Sequence, residues 1–85
     1  MRETEFTPTA LQQLNDWEKD NISVYQKIEK LIQAIHTEPY HGIGKPEPLK
    51  HQLQGYWSRR INKEHRLVYK VTITSVIVIS CKYHY

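Results

Sequence analysis

The chain is short and basic. It has 85 residues with a formal net charge of +3, and 39% of its residues are hydrophobic while 25% are charged. This length predicts a single domain, 1–85, with one small core. No stretch approaches the roughly 20 apolar residues that a membrane span requires. The start, from Met1 to Glu5, has no apolar signal-peptide core, so we expect a cytoplasmic protein with no membrane partner.

The charge is divided unevenly along the chain. Residues 1–44 hold four Lys/Arg against seven Asp/Glu, a net charge of −3, whereas residues 45–85 hold eight against two, a net charge of +6. Such a positive half indicates a polyanionic partner, and nucleic acid is the foremost candidate.

Two amphipathic helices are predicted in the first half. The Thr-Pro pair at 7–8 supplies an N-cap and a first helical position, and apolar residues then recur every three positions, which predicts a helix over about 8–18. Either Asp20 or Asn21 caps a second helix, whose apolar spacing continues until the Thr-Glu-Pro run at 37–39. We expect the two helices to form an antiparallel hairpin.

A loop and then a sheet are predicted after the helices. Residues 39–48 contain two glycines and three prolines, too many for a helix or a central strand, which predicts an ordered loop. Aromatic and β-branched residues then favour strands near 56–61, 66–71 and 75–83. The turns between these strands are Asn62-Lys63-Glu64 and Thr72-Ile73-Thr74.

The two ends of the chain give further strand predictions. The run from Val76 to Ile79 has no polar alternation, so we expect a central strand covered on both faces. Its neighbour Cys81 is then a buried structural thiol. Residues 2–6 could add an edge strand, although the two glutamates in this segment disfavour it.

Three side chains on the basic half suit the cleavage of RNA. Attack by the RNA's own 2′-hydroxyl needs a base for its proton, cationic donors for the phosphorane and an acid for the departing 5′-oxygen. Glu47, Arg66 and His84 have these chemistries. Each residue taken alone is more often an ordinary surface charge, but together on a basic half they favour a site.

Other site chemistries have less support. The five histidines and Cys81 show no zinc-ligand spacing, so no metal or other cofactor is expected. Tyr56 and Trp57, beside Arg59-Arg60, could stack on bases, but strand alternation favours a core position for Trp57 and Ile61.

The geometry of one hairpin stays open. If Asn62-Lys63-Glu64 is a three-residue turn, Arg60 lies directly across from Arg66 on the same face, and two adjacent guanidinium groups make a phosphate site. A two-residue turn would separate the two arginines.

At these residues the chain resembles the Txe/YoeB branch of the RelE/ParE toxin superfamily. The matching stretches are Gly44-Lys45-Pro46-Glu47-Pro48-Leu49-Lys50-His51, Gly55-Tyr56-Trp57-Ser58-Arg59-Arg60-Ile61, Glu64-His65-Arg66-Leu67-Val68-Tyr69 and Tyr83-His84-Tyr85. The resemblance implies a RelE-like α/β fold of the α+β type, with two N-terminal helices packed on a small, mostly antiparallel sheet.

The resemblance also implies a function. It implies the toxin of a type II toxin–antitoxin system, a metal-independent endoribonuclease that cuts mRNA in the ribosomal A site, is held inactive by a cognate antitoxin and can form a homodimer. Glu47 would be the general base, Arg66 the phosphate and transition-state stabiliser, and His84 the general acid. The supporting residues that bind substrate or phosphate would be Lys50, Arg60 and Tyr85.

A non-catalytic protein is the alternative. Some members of the superfamily poison DNA gyrase, and a basic sheet can bind nucleic acid without cutting it. A pure binder has no use for a carboxylate near a phosphate, so the presence of Glu47 between Lys45 and Lys50 favours the nuclease.

Overall fold

The computed structural model describes residues 2–83, which form two helices and one five-stranded sheet. In chain order the elements are β1 (Glu3–Phe6), α1 (Pro8–Asp20), α2 (Ile22–Thr37), β2 (Glu47–Pro48), β3 (Trp57–Arg60), β4 (Arg66–Val71) and β5 (Ser75–Ser80). The strand order is β1-β5-β4-β3-β2, with β1 parallel to β5 and the other neighbours antiparallel. The predicted α+β architecture is confirmed.

Both helices begin at side-chain caps. The Thr7 hydroxyl accepts a hydrogen bond from the Ala10 N–H at 3.2 Å, and the first helix continues two residues beyond the predicted end, to Asp20. Asn21, rather than Asp20, caps the second helix through its side-chain oxygen, which lies 3.4 Å from the Val24 nitrogen. The Asn21 N–H also donates to the Trp17 carbonyl at the end of α1, so one residue joins the two helices in a tight hairpin.

The core lies between the helices and one face of the sheet. The buried apolar side chains of this core come from both helices and from the central strands; they include Ala10, Ile28, Leu31, Ile35, Leu67, Tyr69, Val76, Val78 and Cys81. Cys81 is fully buried, as predicted, and burial raises the pKa of its thiol to about 12. This face of the sheet is called the helix-covered face below, and the opposite face is called the open face.

The last strand is covered on one face only. β5 is an interior strand, paired with β1 and β4, and Val76 and Val78 are fully buried against the helices. Ile77 and Ile79 point to the open face and are half-buried, so the prediction of cover on both faces was wrong. The apolar run did not reveal this, because an interior strand tolerates apolar residues on a partly covered face as well.

The sheet has two short edge strands. The predicted N-terminal strand forms despite its glutamates, because both lie at an exposed edge and the Glu5 carboxylate accepts a hydrogen bond from the Ser75 hydroxyl. The predicted loop over 39–48 contains one exception, since Glu47–Pro48 pairs with Trp57 and Ser58 of β3. A proline is tolerated there because an edge strand needs no inward N–H from it. None of the helices described is both long and apolar enough to span a membrane.

Candidate active site

The β3–β4 hairpin has the three-residue turn. The Ile61 N–H bonds the His65 carbonyl at 3.0 Å, and the Asn62 side chain accepts the N–H groups of Glu64 and His65 at 2.9 and 2.8 Å. In this register Arg60 is the direct partner of Arg66. Residues directly opposite in an antiparallel pair point to the same face, so the two arginines lie side by side on the open face.

The edge strand brings a carboxylate to this pair. Glu47 is registered against Ser58, one strand away from β4. The Arg66 guanidinium donates to the Glu47 carboxylate at 2.6 Å and to the Ser58 hydroxyl at 3.3 Å. The Arg66 side chain is 21% exposed and that of Glu47 is 56% exposed. The base and the phosphate ligand suggested by the sequence are therefore in contact, with the carboxylate facing solvent.

The two cationic supporting residues are placed differently. Arg60 is exposed beside Arg66. Lys50 is exposed at the start of the 3₁₀ helix His51–Leu53, and its carbonyl accepts the Leu53 N–H at 3.2 Å. Its side chain forms no hydrogen bond or ion pair with the residues that the structure describes. Thus Arg60 joins the Glu47–Arg66 pair directly, whereas Lys50 lies along the same segment as Glu47, beyond the end of β2.

The candidate acid His84 and the supporting residue Tyr85 lie outside the described residues. The chain that leads to them is held in two places, because the Tyr83 N–H donates to Nδ1 of His65 at 2.7 Å and the Tyr83 carbonyl accepts from the Arg66 N–H at 2.8 Å. The Tyr83 ring itself is 64% exposed, so its backbone supplies most of the attachment. The described chain thus ends beside Arg66.

Helix α1 supports the same end of the chain. The Trp17 indole N–H donates to the Cys81 carbonyl at 2.9 Å, and its ring meets the His65 ring edge-on with centroids 4.8 Å apart. The ammonium of Lys82 lies 5.6 Å from the Trp17 ring centre and 5.6 Å from that of Tyr83. These contacts give order to the three residues after β5, where a chain end would ordinarily fray.

Arg59, which precedes Arg60 in the same basic run, is a core residue and not part of the candidate site. Its side chain is fully buried on the helix-covered face. Its guanidinium donates to the carbonyls of Glu38, His41 and Ile43 at 2.6, 2.8 and 3.1 Å, and to the Tyr69 hydroxyl at 3.1 Å. The predicted core positions of Trp57 and Ile61 could have revealed the burial of Arg59, because residue 59 lies on the same face of the strand as they do.

The aromatic neighbours of Arg59 follow the core interpretation. Trp57 packs against the core and its ring lies 4.9 Å from that of Tyr40, so it is not available as a base-stacking platform. Tyr56 is half-buried, and the Lys70 ammonium lies 5.5 Å from its ring centre. Within residues 2–83, no group of three His, Cys, Asp or Glu side chains could hold a metal ion.

Comparison with known proteins agrees with this geometry. Two helices on one face of a five-stranded, mostly antiparallel sheet are the fold of the RelE-like toxins. A family model described as YoeB-like toxin of bacterial type II toxin-antitoxin system matches residues 6–85. The chain belongs to this family, and it is the toxin of a type II toxin–antitoxin system.

Individual relatives are similar over most of their length. Toxin YoeB of Escherichia coli strain K12 is 51% identical over 69 residues, which cover 81% of this chain and 82% of that protein. The YoeB dimer from Staphylococcus aureus has a TM-score of 0.94 at 42% identity and covers 99% of this chain and 98% of its own. YoeB in the YoeB-YefM complex from the same organism has a TM-score of 0.92 at 43% identity, with 100% and 99% covered.

Proposed function

We propose that this toxin is a ribosome-dependent endoribonuclease that cuts mRNA in the A site and so inhibits translation in the cytoplasm. The observation that carries the proposal is the contact between Glu47 and Arg66, 2.6 Å apart on the open face of a basic sheet. A carboxylate beside a guanidinium pair weakens the simple binding of a phosphate, but it provides the base that transesterification needs.

The proposed reaction uses the substrate's own nucleophile. Glu47 takes the proton of a ribose 2′-hydroxyl as its oxygen bonds to the adjacent phosphorus. Arg66, with Arg60 beside it, donates hydrogen bonds to the equatorial phosphoryl oxygens, whose charge grows in the transition state. His84 gives a proton to the 5′-oxygen as the P–O5′ bond breaks. The products are a 2′,3′-cyclic phosphate and a 5′-hydroxyl, and the chemistry needs no metal or cofactor.

Arg66 can donate hydrogen bonds to two acceptors during this reaction, the Glu47 carboxylate and the phosphate of the RNA. Without RNA its guanidinium donates a single hydrogen bond to the Glu47 carboxylate, and a guanidinium can also bind a phosphate, with two parallel hydrogen bonds. We infer that the incoming phosphate takes over one side of Arg66 and leaves the Glu47 carboxylate free to accept the 2′-hydroxyl proton. Lys50 and Tyr85 are the proposed supporting ligands of the same RNA segment.

The proposed partners follow from the solved relatives. YoeB of S. aureus forms a complex with YefM, and we propose that a YefM-like antitoxin binds this chain and blocks it. The S. aureus protein was also solved as a dimer, which supports a homodimer here. A gyrase-poisoning or otherwise non-catalytic toxin is the competing function, and it predicts no role for Glu47.

Replacing the acid–base groups tests the proposal. Glu47→Gln and His84→Gln should each lower mRNA cleavage by about 10²–10⁴ in a translating extract, read by primer extension on one message, while ribosome binding persists. Arg66→Ala should lower the cleavage rate by at least the same factor. The control is Glu64→Gln, because Glu64 is the other acidic residue of the basic half and lies on an exposed turn.

The nucleophile is tested in the message itself. A 2′-deoxy nucleotide at the cut site should abolish cleavage, and the normal upstream product should end in a cyclic or 3′-phosphate. A downstream fragment that carries a 5′-phosphate would instead indicate attack by water and would overturn the role of Glu47. Full toxicity of Glu47→Gln at matched protein levels would favour the non-catalytic function.

A further inference from the structure

A cationic cleft adjoins the arginine pair. Its volume is about 530 Å³, within the range of small-ligand sites. Five cationic side chains from α2, the loop before β2, the β3–β4 hairpin and its turn line it: Lys27, Lys45, Arg60, Lys63 and Arg66. No carboxylate is among its lining residues in the part of the chain that the structure describes. Arg66 therefore contacts Glu47 and also lines a cleft whose charged lining residues are all cationic.

The loop wall of this cleft is built in a conformation that ordinary residues avoid. Lys45 has a positive φ of 51° and follows Gly44 with a φ of 83°. A Cβ on Gly44 would lie 2.9 Å from Leu31 and 3.0 Å from the Arg59 side chain, and the Gly44 carbonyl accepts the Arg60 N–H at 2.6 Å. A left-handed lysine costs about 1 kcal/mol or more, and it persists only where the surroundings determine it. Here the close packing of Gly44 against Leu31 and Arg59 determines the conformation of Lys45 and places Lys45 in the cleft wall.

Such a concentration of like charge favours the binding of an anion. Lysine and arginine side chains that share one cleft repel each other, and the repulsion is relieved by a ligand with dispersed negative charge. The cleft continues directly from the arginines that would hold the scissile phosphate. An RNA strand with one phosphate on Arg66 must place a neighbouring phosphate within a nucleotide's length of it.

We propose that this cleft binds the backbone phosphate next to the scissile one, with Lys27, Lys45 and Lys63 as its ligands. The inference rests on the proposed function, because it takes the Arg66 site as the place of cutting. The three lysines bind the strand equally before and in the transition state. They therefore contribute to substrate binding and leave the chemical step unchanged.

Lysine variants give the first test. The triple variant Lys27→Gln, Lys45→Gln, Lys63→Gln should raise the KM for cleavage about tenfold or more with kcat unchanged. Its binding to an uncleavable message, with a 2′-deoxy nucleotide at the cut site, should depend less steeply on salt, by about 0.7 in the log–log slope for each phosphate that the variant no longer neutralises. Lys30→Gln is the control, because Lys30 lies one turn from Lys27 and lines a different cleft.

A neutral phosphate in the message gives the second test. A methylphosphonate at one of the two positions flanking the cut should weaken binding to the wild type severalfold and have little further effect on the triple variant. If the methylphosphonate weakened the binding of the wild type and of the triple variant equally, the proposal would be overturned. A second result would also overturn the proposal: the triple lysine variant binds the ribosome more weakly, but neither methylphosphonate weakens binding to the wild type. The lysines would then contact ribosomal RNA and not the message. Failure of the catalytic proposal is distinguishable from failure of this one, because it would appear as unchanged cleavage by Glu47→Gln.

Discussion

Arg59 and Arg60 are neighbours in one strand, yet the two faces of the sheet give them opposite roles. Arg59, on the helix-covered face, donates three hydrogen bonds that tie the loop over 38–43 to β3 and a fourth to the Tyr69 hydroxyl of β4. Arg60, on the open face, is exposed beside Arg66 and Glu47. A buried guanidinium whose three nitrogens are all hydrogen-bonded is part of the structure, whereas an exposed pair of guanidinium groups is available to a ligand. Arg59, on the helix-covered face, thus holds in place the loop that leads to Glu47 on the open face.

The largest expected effect separates these two arginines. Arg59→Met should lower the free energy of unfolding by about 3 kcal/mol or more, because it removes the donor from three partly buried carbonyls and from the Tyr69 hydroxyl. Arg60→Met should change it by less than about 0.5 kcal/mol, as exposed substitutions do. Urea denaturation of both variants measures the difference. Equal stabilities would mean that water replaces the Arg59 hydrogen bonds and that the loop does not depend on them.

A smaller effect distinguishes two glycines with the same backbone requirement. Gly44 and Gly55 have φ values of 83° and 96°, so alanine is strained at both. A Cβ at Gly44 would meet Leu31 at 2.9 Å, whereas one at Gly55 would have nothing within 4 Å. Gly55→Ala should therefore cost about 1 kcal/mol, and Gly44→Ala about 1–2 kcal/mol more. Thermal unfolding compares them, and an equal loss would show that the loop moves away from the helix without cost.

Most of the fold could be predicted because its signals are local. The Thr7 and Asn21 caps, the apolar spacing of the helices and the β-branched runs each indicate one element, and they agree with one another. The β3–β4 turn was not decidable, because two and three residues are both common hairpin loops and the sequence does not show which hydrogen bonds close. The structure decides it through the Asn62 side chain, which accepts two backbone N–H groups.

The candidate site was less predictable than the fold. The contact between Glu47 and Arg66 spans 19 positions and depends on the register of a two-residue edge strand, which no periodicity reveals. The burial of Arg59 was not predicted, because a charged residue in a basic run suggests a surface, although strand alternation places residue 59 on the same face as Trp57 and Ile61. Three of its four hydrogen-bond partners are backbone carbonyls, which every residue has, so the sequence does not show which of them a buried arginine would bind.

The smallest expected effect concerns His65, which links helix α1 to Tyr83 at the end of the described chain. Its Nδ1 accepts the Tyr83 N–H, while its ring contacts Trp17. His65→Leu removes the acceptor and should slow mRNA cleavage about two- to tenfold, which corresponds to one net hydrogen bond. His65→Asn carries a carbonyl oxygen near the position of Nδ1 and should cleave at close to the wild-type rate, so it controls for the loss of the ring.

A fully active His65→Leu, assayed by primer extension on the same message at matched protein levels, would contradict this prediction. It would show that Tyr83 keeps its position beside Arg66 without the hydrogen bond to Nδ1 of His65. Reduced cleavage by both variants would instead assign the effect to the ring and its edge-on contact with Trp17.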